Sequence, residues 1–173
     1  MNFLENLHDI NTFIFDVDGV LTDSSVLIRD DGKLYRTMNT KDGFAIKHAV
    51  RQGYNFFIIS GGKEYGLLNR LKNLGISEEN IFLNVQDKLP VLKTLVKNGR
   101  IDLSRSTFMG DDIPDYALMR TVLLPTCPSD AVQEIKEISR YISPFEGGKG
   151  CARDLISKVL KVQGKWFELD VVG

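Results

Sequence analysis

An apolar run, Phe13-Ile14-Phe15, stops at two aspartates one residue apart, Asp16 and Asp18, and Gly19, Thr22 and Asp23 follow closely. Three bulky apolar residues without polar alternation predict a strand buried on both faces, the kind found inside a parallel sheet. In open α/β sheets, ligands bind at the carboxyl ends of such strands. Two acids delivered there repel one another, and burying them without a counter-charge is costly. The pair therefore points to a bound cation, and hard oxygen donors favour Mg²⁺. Taken alone, Asp18-Gly19 also reads as an ordinary turn leaving the strand.

The rest of the chain has to supply the sheet. Asn55-Phe56-Phe57-Ile58-Ile59 is a second buried strand, ending at Ser60-Gly61-Gly62. A helix follows with Leu67, Leu68, Leu71 and Leu74 on one face, closed by Gly75. A hydroxyl and two glycines before a helix suit an anionic oxygen, because the backbone can approach closely and the helix dipole favours negative charge. Asn80 to Asn84 reads as a shorter strand, and Asp87 as the N-cap of the next helix, with Lys88 in its first turn. A lysine there opposes the helix dipole, so Lys88 is a candidate partner for phosphate or carboxylate. Thr107-Phe108-Met109 forms another strand, which runs into Gly110-Asp111-Asp112-Ile113-Pro114-Asp115. Asp115 fits an acid-rich helix start; Asp111 and Asp112 directly after a strand again ask for a cation.

Shorter features complete the outline. Ser25-Val26-Leu27-Ile28 and Lys33-Leu34-Tyr35-Arg36 flank Asp30-Asp31-Gly32, which predicts a β-hairpin above the first acid pair. Phe44 to Val50 reads as a short helix closed by Gly53, with Lys41 and Asp42 at its start. Further on come a strand (Val122-Leu123-Leu124), a helix (Ala131 to Ile138), a strand (Tyr141-Ile142) and a last helix (Cys151 to Val162) after Gly147-Gly148-Lys149-Gly150. The aromatics Trp166 and Phe167 near the end are expected to pack on something. Strands alternating with helices predict a doubly wound α/β sheet in one domain spanning residues 1–173.

With 43% hydrophobic and 26% charged residues, the chain has the composition of a globular domain. A net charge of -1 without a basic run gives no reason to expect nucleic-acid binding, and no stretch approaches a bilayer-spanning length, so no membrane association is expected. Residues 1–11 carry acids and no apolar core of signal-peptide length. Cys127 and Cys151 could pair, but two free thiols in a reducing cytoplasm is the expectation.

Four successive strand ends thus carry, in order, the Asp16–Asp23 cluster, Ser60-Gly61-Gly62, Lys88 and the Asp111–Asp115 cluster. In this order the sequence resembles the haloacid dehalogenase superfamily of phosphohydrolases, a Rossmann-like three-layer sandwich around a parallel sheet. The resemblance implies that Asp16 is a nucleophile forming an aspartyl-phosphate and Asp18 the general acid and base. It implies Mg²⁺ held by the Asp16 carboxylate, the Asp18 backbone carbonyl and Asp111. Asp112 would support the metal through water or orient Lys88. Ser60, the Gly61 amide and Lys88 would hold the phosphoryl group.

The segments between these strand ends leave no room for a cap domain, so a neighbouring subunit is expected to shield the site. Within the superfamily the chain looks like the capless 3-deoxy-D-manno-octulosonate 8-phosphate (KDO 8-phosphate) phosphatases, through the hairpin flap, Asn39-x-Lys41-Asp42-Gly43 and Gly147-Gly148-x-Gly150-x-x-Arg153. Members are typically Mg²⁺-dependent homotetramers, and the resemblance makes Lys41, Asp42 and Arg153 candidates for binding a phosphorylated sugar acid. Two departures bear on which one: Gly62 stands where many such enzymes carry arginine, and Lys41 where arginine is common. Lysine does not reproduce bidentate carboxylate recognition by arginine. A phosphatase of a nonulosonic acid 9-phosphate is therefore the alternative reading. A receiver domain would need a lone acceptor aspartate at its third strand, which the chain lacks. A non-catalytic binding domain on the same fold would not need both Asp16 and Asp18.

Overall fold

Phe13 and Phe15 project to one side of their strand and Ile14 to the other, and none of the three has exposed surface. Burying one such side chain contributes about 1.5–3 kcal/mol, which makes this strand, β1 (Thr12–Phe15), the centre of the sheet. The computed structural model describes residues 3–166 of the chain, so the expectation for Phe167 lies outside the described residues.

Six parallel strands form the sheet: β1, β4 (Asn55–Ile59), β5 (Ile81–Phe82), β6 (Ser106–Met109), β7 (Leu124–Cys127) and β8 (Tyr141–Ile142). Their spatial order is β5-β4-β1-β6-β7-β8. Thr12 registers with Asn55 on one side and with Ser106 on the other. From β1 the chain first builds outward through β4 and β5, then returns to add β6 on the opposite flank. The direction of winding reverses at β1, and its carboxyl end opens into the crevice where doubly wound folds bind ligands.

Helices cover both faces. α1 (Phe3–Leu7), α2 (Thr40–Arg51), α3 (Tyr65–Asn73) and α7 (Cys151–Val162) pack over Phe13, Phe15, Phe56 and Ile58. The rings of Phe13 and Phe56 stack at 5.0 Å. α4 (Lys88–Lys97), α5 (Tyr116–Met119) and α6 (Gln133–Ile138) cover Ile14, Phe57, Ile59 and Phe108. The described residues thus form the expected three-layer sandwich, without a cap domain among them. Between β1 and α2 stands only the hairpin β2 (Leu27–Ile28) and β3 (Leu34–Tyr35), a separate two-stranded sheet turned at Gly32.

Several element boundaries differ from the sequence reading, two of them for a clear local reason. α2 starts a turn before Phe44, because Asn39 caps it by accepting the Lys41 N–H at 2.8 Å. The strand expected at Val122-Leu123-Leu124 runs instead from Leu124 to Cys127. Pro125, which has no N–H to donate, sits opposite Phe108, and its carbonyl accepts the Arg140 N–H at 2.9 Å. The polar Thr126 is tolerated because its hydroxyl donates to the Phe108 carbonyl at 2.9 Å. Cys127 and Cys151 are both buried free thiols.

Candidate active site

β1, β4 and β6 lie side by side, so the residues just past their carboxyl ends converge. Asp16 extends the β1 ladder, donating its N–H to the Met109 carbonyl at 3.1 Å. The chain then turns sharply, with the N–H groups of Val20, Leu21 and Thr22 all directed at the Val17 carbonyl. Gly19 makes this turn possible: its φ is +80°, and a Cβ there would stand 1.9 Å from Asp111 Oδ2. The first acid loop can therefore pack directly on the second.

Asp16, Asp18, Ser60, Gly61, Lys88, Asp111, Asp112 and Asp115 all border one cavity of about 300 Å³. Carboxylate oxygens of Asp16, Asp111 and Asp115 lie within 4.8 Å of one another. Lys88, buried at the start of α4, reaches between them, with Nζ 2.7 Å from Asp16 Oδ2 and 2.6 Å from Asp115 Oδ1. Burial works against its charge, but Asp16 and Asp115 together hold the ammonium above its ordinary pKa. Asp87 accepts the Leu89 N–H at 3.3 Å, as expected of an N-cap.

Asp112 and Asp115 divide their work differently from the expectation. Asp112 is exposed and accepts the Ile113 N–H at 2.8 Å, capping a short 3₁₀ turn. Asp115, 1% exposed, orients Lys88 instead. Its other oxygen accepts the Asp111 N–H at 3.0 Å. Both Asp115 oxygens are thus engaged; Asp16 also has both in use, Oδ1 accepting the Val17 N–H at 2.6 Å and Oδ2 facing Lys88, so an ion held by Asp16 and Asp111 would take a second lone pair of an Asp16 oxygen.

Three carboxylates around one ammonium leave an excess of negative charge. Burial, then the charges of Asp16, Asp115 and Asp112, push the Asp111 carboxyl up to about 8. Burial and Asp16 raise Asp115 as well. A divalent cation with a preference for oxygen ligands relieves this repulsion, so the donor set fits Mg²⁺.

Ser60, fully buried, accepts the Gly62 N–H on its Oγ at 3.3 Å, and its carbonyl accepts the Val85 N–H at 3.0 Å. Two non-glycine residues with left-handed backbone, Ser24 and Asn84, lie at the cavity wall and immediately before Val85 in that wall.

Lys41, Asp42 and Arg153 do not border this cavity. Lys41 is exposed on the first turn of α2. Asp42 is buried and accepts the Arg153 N–H at 2.7 Å, so its carboxylate serves the N-terminus of α7. The Arg153 guanidinium lies over the rings of Phe44 and Trp166, at 5.5 and 5.3 Å. Arg36, which no spacing rule pointed to, does reach the site. It leaves the hairpin and grips Asp18, with Nε 2.5 Å from Oδ1 and Nη2 3.0 Å from Oδ2. A larger groove of about 850 Å³ between the hairpin and α3 contains Arg36 and Glu64 but none of the clustered acids.

A doubly wound sheet with acids past two adjacent strands, a buried lysine and a hydroxyl-glycine loop defines a hydrolase of the haloacid dehalogenase type. No family model matches the chain. The 3-deoxy-D-manno-octulosonate 8-phosphate phosphatase KdsC of Escherichia coli K12 is 29% identical over 160 residues, 92% of this chain and 84% of that protein. A probable YrbI family phosphatase from Pseudomonas syringae pv. phaseolica superimposes with a TM-score of 0.90 at 34% identity, covering 95% of this chain and 92% of that one. The 3-deoxy-D-manno-octulosonate 8-phosphate phosphatase of Moraxella catarrhalis, crystallised with magnesium, phosphate and KDO, gives 0.88 at 30% identity, over 95% and 94% of the two chains. The chain belongs to the 3-deoxy-D-manno-octulosonate 8-phosphate phosphatase family of the haloacid dehalogenase superfamily.

Proposed function

We propose that this chain is a Mg²⁺-dependent phosphomonoesterase that hydrolyses 3-deoxy-D-manno-octulosonate 8-phosphate to KDO and phosphate through an aspartyl-phosphate on Asp16. One observation carries the reading: the Asp16 carboxylate, 2.7 Å from Lys88, shares a cavity with Asp18, Asp111 and the Ser60-Gly61 loop. The Moraxella relative, bound to magnesium, phosphate and KDO, supports both the ion and the substrate.

Asp16 attacks phosphorus in line with the departing sugar oxygen, forming the Asp16–phosphorus bond as the ester bond breaks. Asp18 donates its proton to that oxygen, so the sugar leaves as an alcohol. Asp18, now ionised, accepts a proton from a water that attacks the aspartyl-phosphate, releasing phosphate and restoring Asp16. Lys88, the Ser60 hydroxyl and the Gly61 amide hold the phosphoryl oxygens as charge builds on them. Asp16, Asp111 and the Asp18 carbonyl would hold Mg²⁺, which supplies charge neutralisation and alignment over the phosphoryl group. Asp115 keeps Lys88 in place.

The hairpin exposes Val26, Leu27, Ile28 and Tyr35, an apolar edge that supports self-association, and we assign the homotetramer typical of the family the chain resembles. A neighbouring copy is then the setting in which Lys41 and Arg153, outside the cavity of their own chain, meet the substrate carboxylate. The two buried free thiols support a reducing cytoplasm as its compartment.

The test is phosphate release with Mg²⁺ over a panel holding KDO 8-phosphate, nonulosonate 9-phosphates and simple esters, with Asp16→Asn alongside. Turnover of KDO 8-phosphate that Asp16→Asn and EDTA both abolish is expected. Preference for a nonulosonate 9-phosphate would move the substrate to that class, in keeping with Gly62 and Lys41. No turnover at all would leave a binding domain.

A further inference from the structure

Asp18 stands two residues from Asp16, at the edge of a crowded carboxylate cluster, yet its own oxygens do not join that cluster. Each accepts a hydrogen bond from one guanidinium, that of Arg36, which occupies one lone pair on each oxygen and leaves the other to carry a proton. The Arg36 side chain is only 11% exposed, and its Nη1 lies 2.8 Å from Glu64 Oε2. Glu64 is the residue before α3, four positions beyond Ser60. Gly62 lies between them; a Cβ there would stand 3.7 Å from Glu64 Oε2. With no side chain at 62, nothing from that position competes with Arg36 for Glu64. One fork therefore links three pieces of the chain: the hairpin, the loop after β1 and the loop after β4.

A carboxylate so close to a site built for a dication is attracted to it, and the attraction grows as water is excluded. On the metal, Asp18 could neither deliver a proton to the leaving oxygen nor recover one from water. Resting on the phosphatase reading above, we infer that Arg36 is a positioning residue: it holds the Asp18 carboxylate off the metal and toward the leaving group, and Glu64 braces it. A planar fork that engages both oxygens fixes the direction of the carboxylate, which a lysine ammonium cannot do.

Arg36→Met, Arg36→Lys and Glu64→Gln test this with two readouts. The first is kcat/KM for KDO 8-phosphate against p-nitrophenyl phosphate, whose leaving group needs no acid. A lost general acid costs roughly 100-fold or more, so Arg36→Met is expected to lose about that on the sugar phosphate and less than about 10-fold on the nitrophenyl ester. Arg36→Lys recovers part of the loss, and Glu64→Gln adds nothing in the Arg36→Met background. The second readout is Mg²⁺ binding by calorimetric titration, where Arg36→Met is expected to bind several-fold more tightly, because a freed Asp18 joins the ligands. Equal losses on both esters, full recovery by lysine, or unchanged or weaker Mg²⁺ binding would each overturn the inference. If the wild type hydrolyses neither ester, the phosphatase reading fails by itself. The Mg²⁺ titration still decides what Arg36 does to Asp18.

Discussion

Lys88 donates to Asp115 at 2.6 Å across 27 residues of sequence, with both groups buried under the catalytic cavity. The acid that orients the lysine is thus the third of its cluster, and the intervening Asp112 points to a local cap. Lys88 keeps Asp16 at 2.7 Å when Asp115 is removed, so the full penalty of an unpaired buried charge does not apply, but the Asp111 N–H loses its acceptor. Asp115→Ala should therefore lower the unfolding free energy by about 1–3 kcal/mol in urea titrations. Asp112→Ala, which removes an exposed cap, should cost only about 0.5–2 kcal/mol.

Excess negative charge at Asp16, Asp111 and Asp115 makes the fold sensitive to divalent ions. A ligand that binds only the folded state at 100 times its Kd adds about 2.7 kcal/mol of stability. Mg²⁺ is therefore expected to raise the melting temperature in a concentration-dependent way, and EDTA to reverse it. In Asp111→Asn, which removes one ligand charge, the shift should shrink sharply. An equal shift in that variant would mean that the ion binds elsewhere.

Asp42 sits beneath the first turn of α7, and burial raises its carboxyl pKa although the Arg153 N–H stabilises the ion. The Gly150 N–H also favours the ion, yet among the described residues the second oxygen is buried without a close hydrogen bond. Asp42→Asn keeps an acceptor and sheds a poorly compensated charge, so its stability should stay near that of the wild type. Asp42→Ala loses the acceptor and should cost about 1–2 kcal/mol. Neither should change KM in the same assay, since the carboxylate does not border the cavity.

Alkaline stability should report on Tyr54. Its hydroxyl donates to Gln163 Oε1 at 2.6 Å, and burial pushes the phenol up to about 12. In the unfolded chain a tyrosine ionises near pH ~10. Below that value both states hold the proton and the stabilisation is fully present. Between about 10 and 12 the unfolded state has lost the proton that the folded state keeps, so stability falls as pH rises through the window. Tyr54→Phe should flatten this slope in denaturation series followed by fluorescence. Phenolate absorbance should show one tyrosine fewer titrating late.

Much of this protein is legible in its residues because local chemistry and final position agree there. Phe13 to Asp18, Asn55 to Gly61, Asp87-Lys88 and Thr107 to Asp111 each join a buried strand or a capped helix start to a polar end. Parallel winding brings such ends together without long-range detail. The strand read at Val122 to Leu124 lies at Leu124–Cys127, because which residues meet the neighbouring ladder is set by the packed sheet and not by the apolar run. Asn39 was a cap signal that the apolar periodicity beginning at Phe44 obscured.

What the amino-acid sequence determined alone was the winding of the sheet and the identity of the acids, hydroxyl and lysine at its strand ends. Apolar runs choose their burial, and charges so placed need one another or a metal. Tertiary structure alone decided which acid meets Lys88, that Asp42 serves a helix end, and that Arg36 holds Asp18. These are pairings across 27, 111 and 18 residues. Each side chain could have found other partners or water, and only packing of the surrounding elements sets the ångström-scale geometry that selects one.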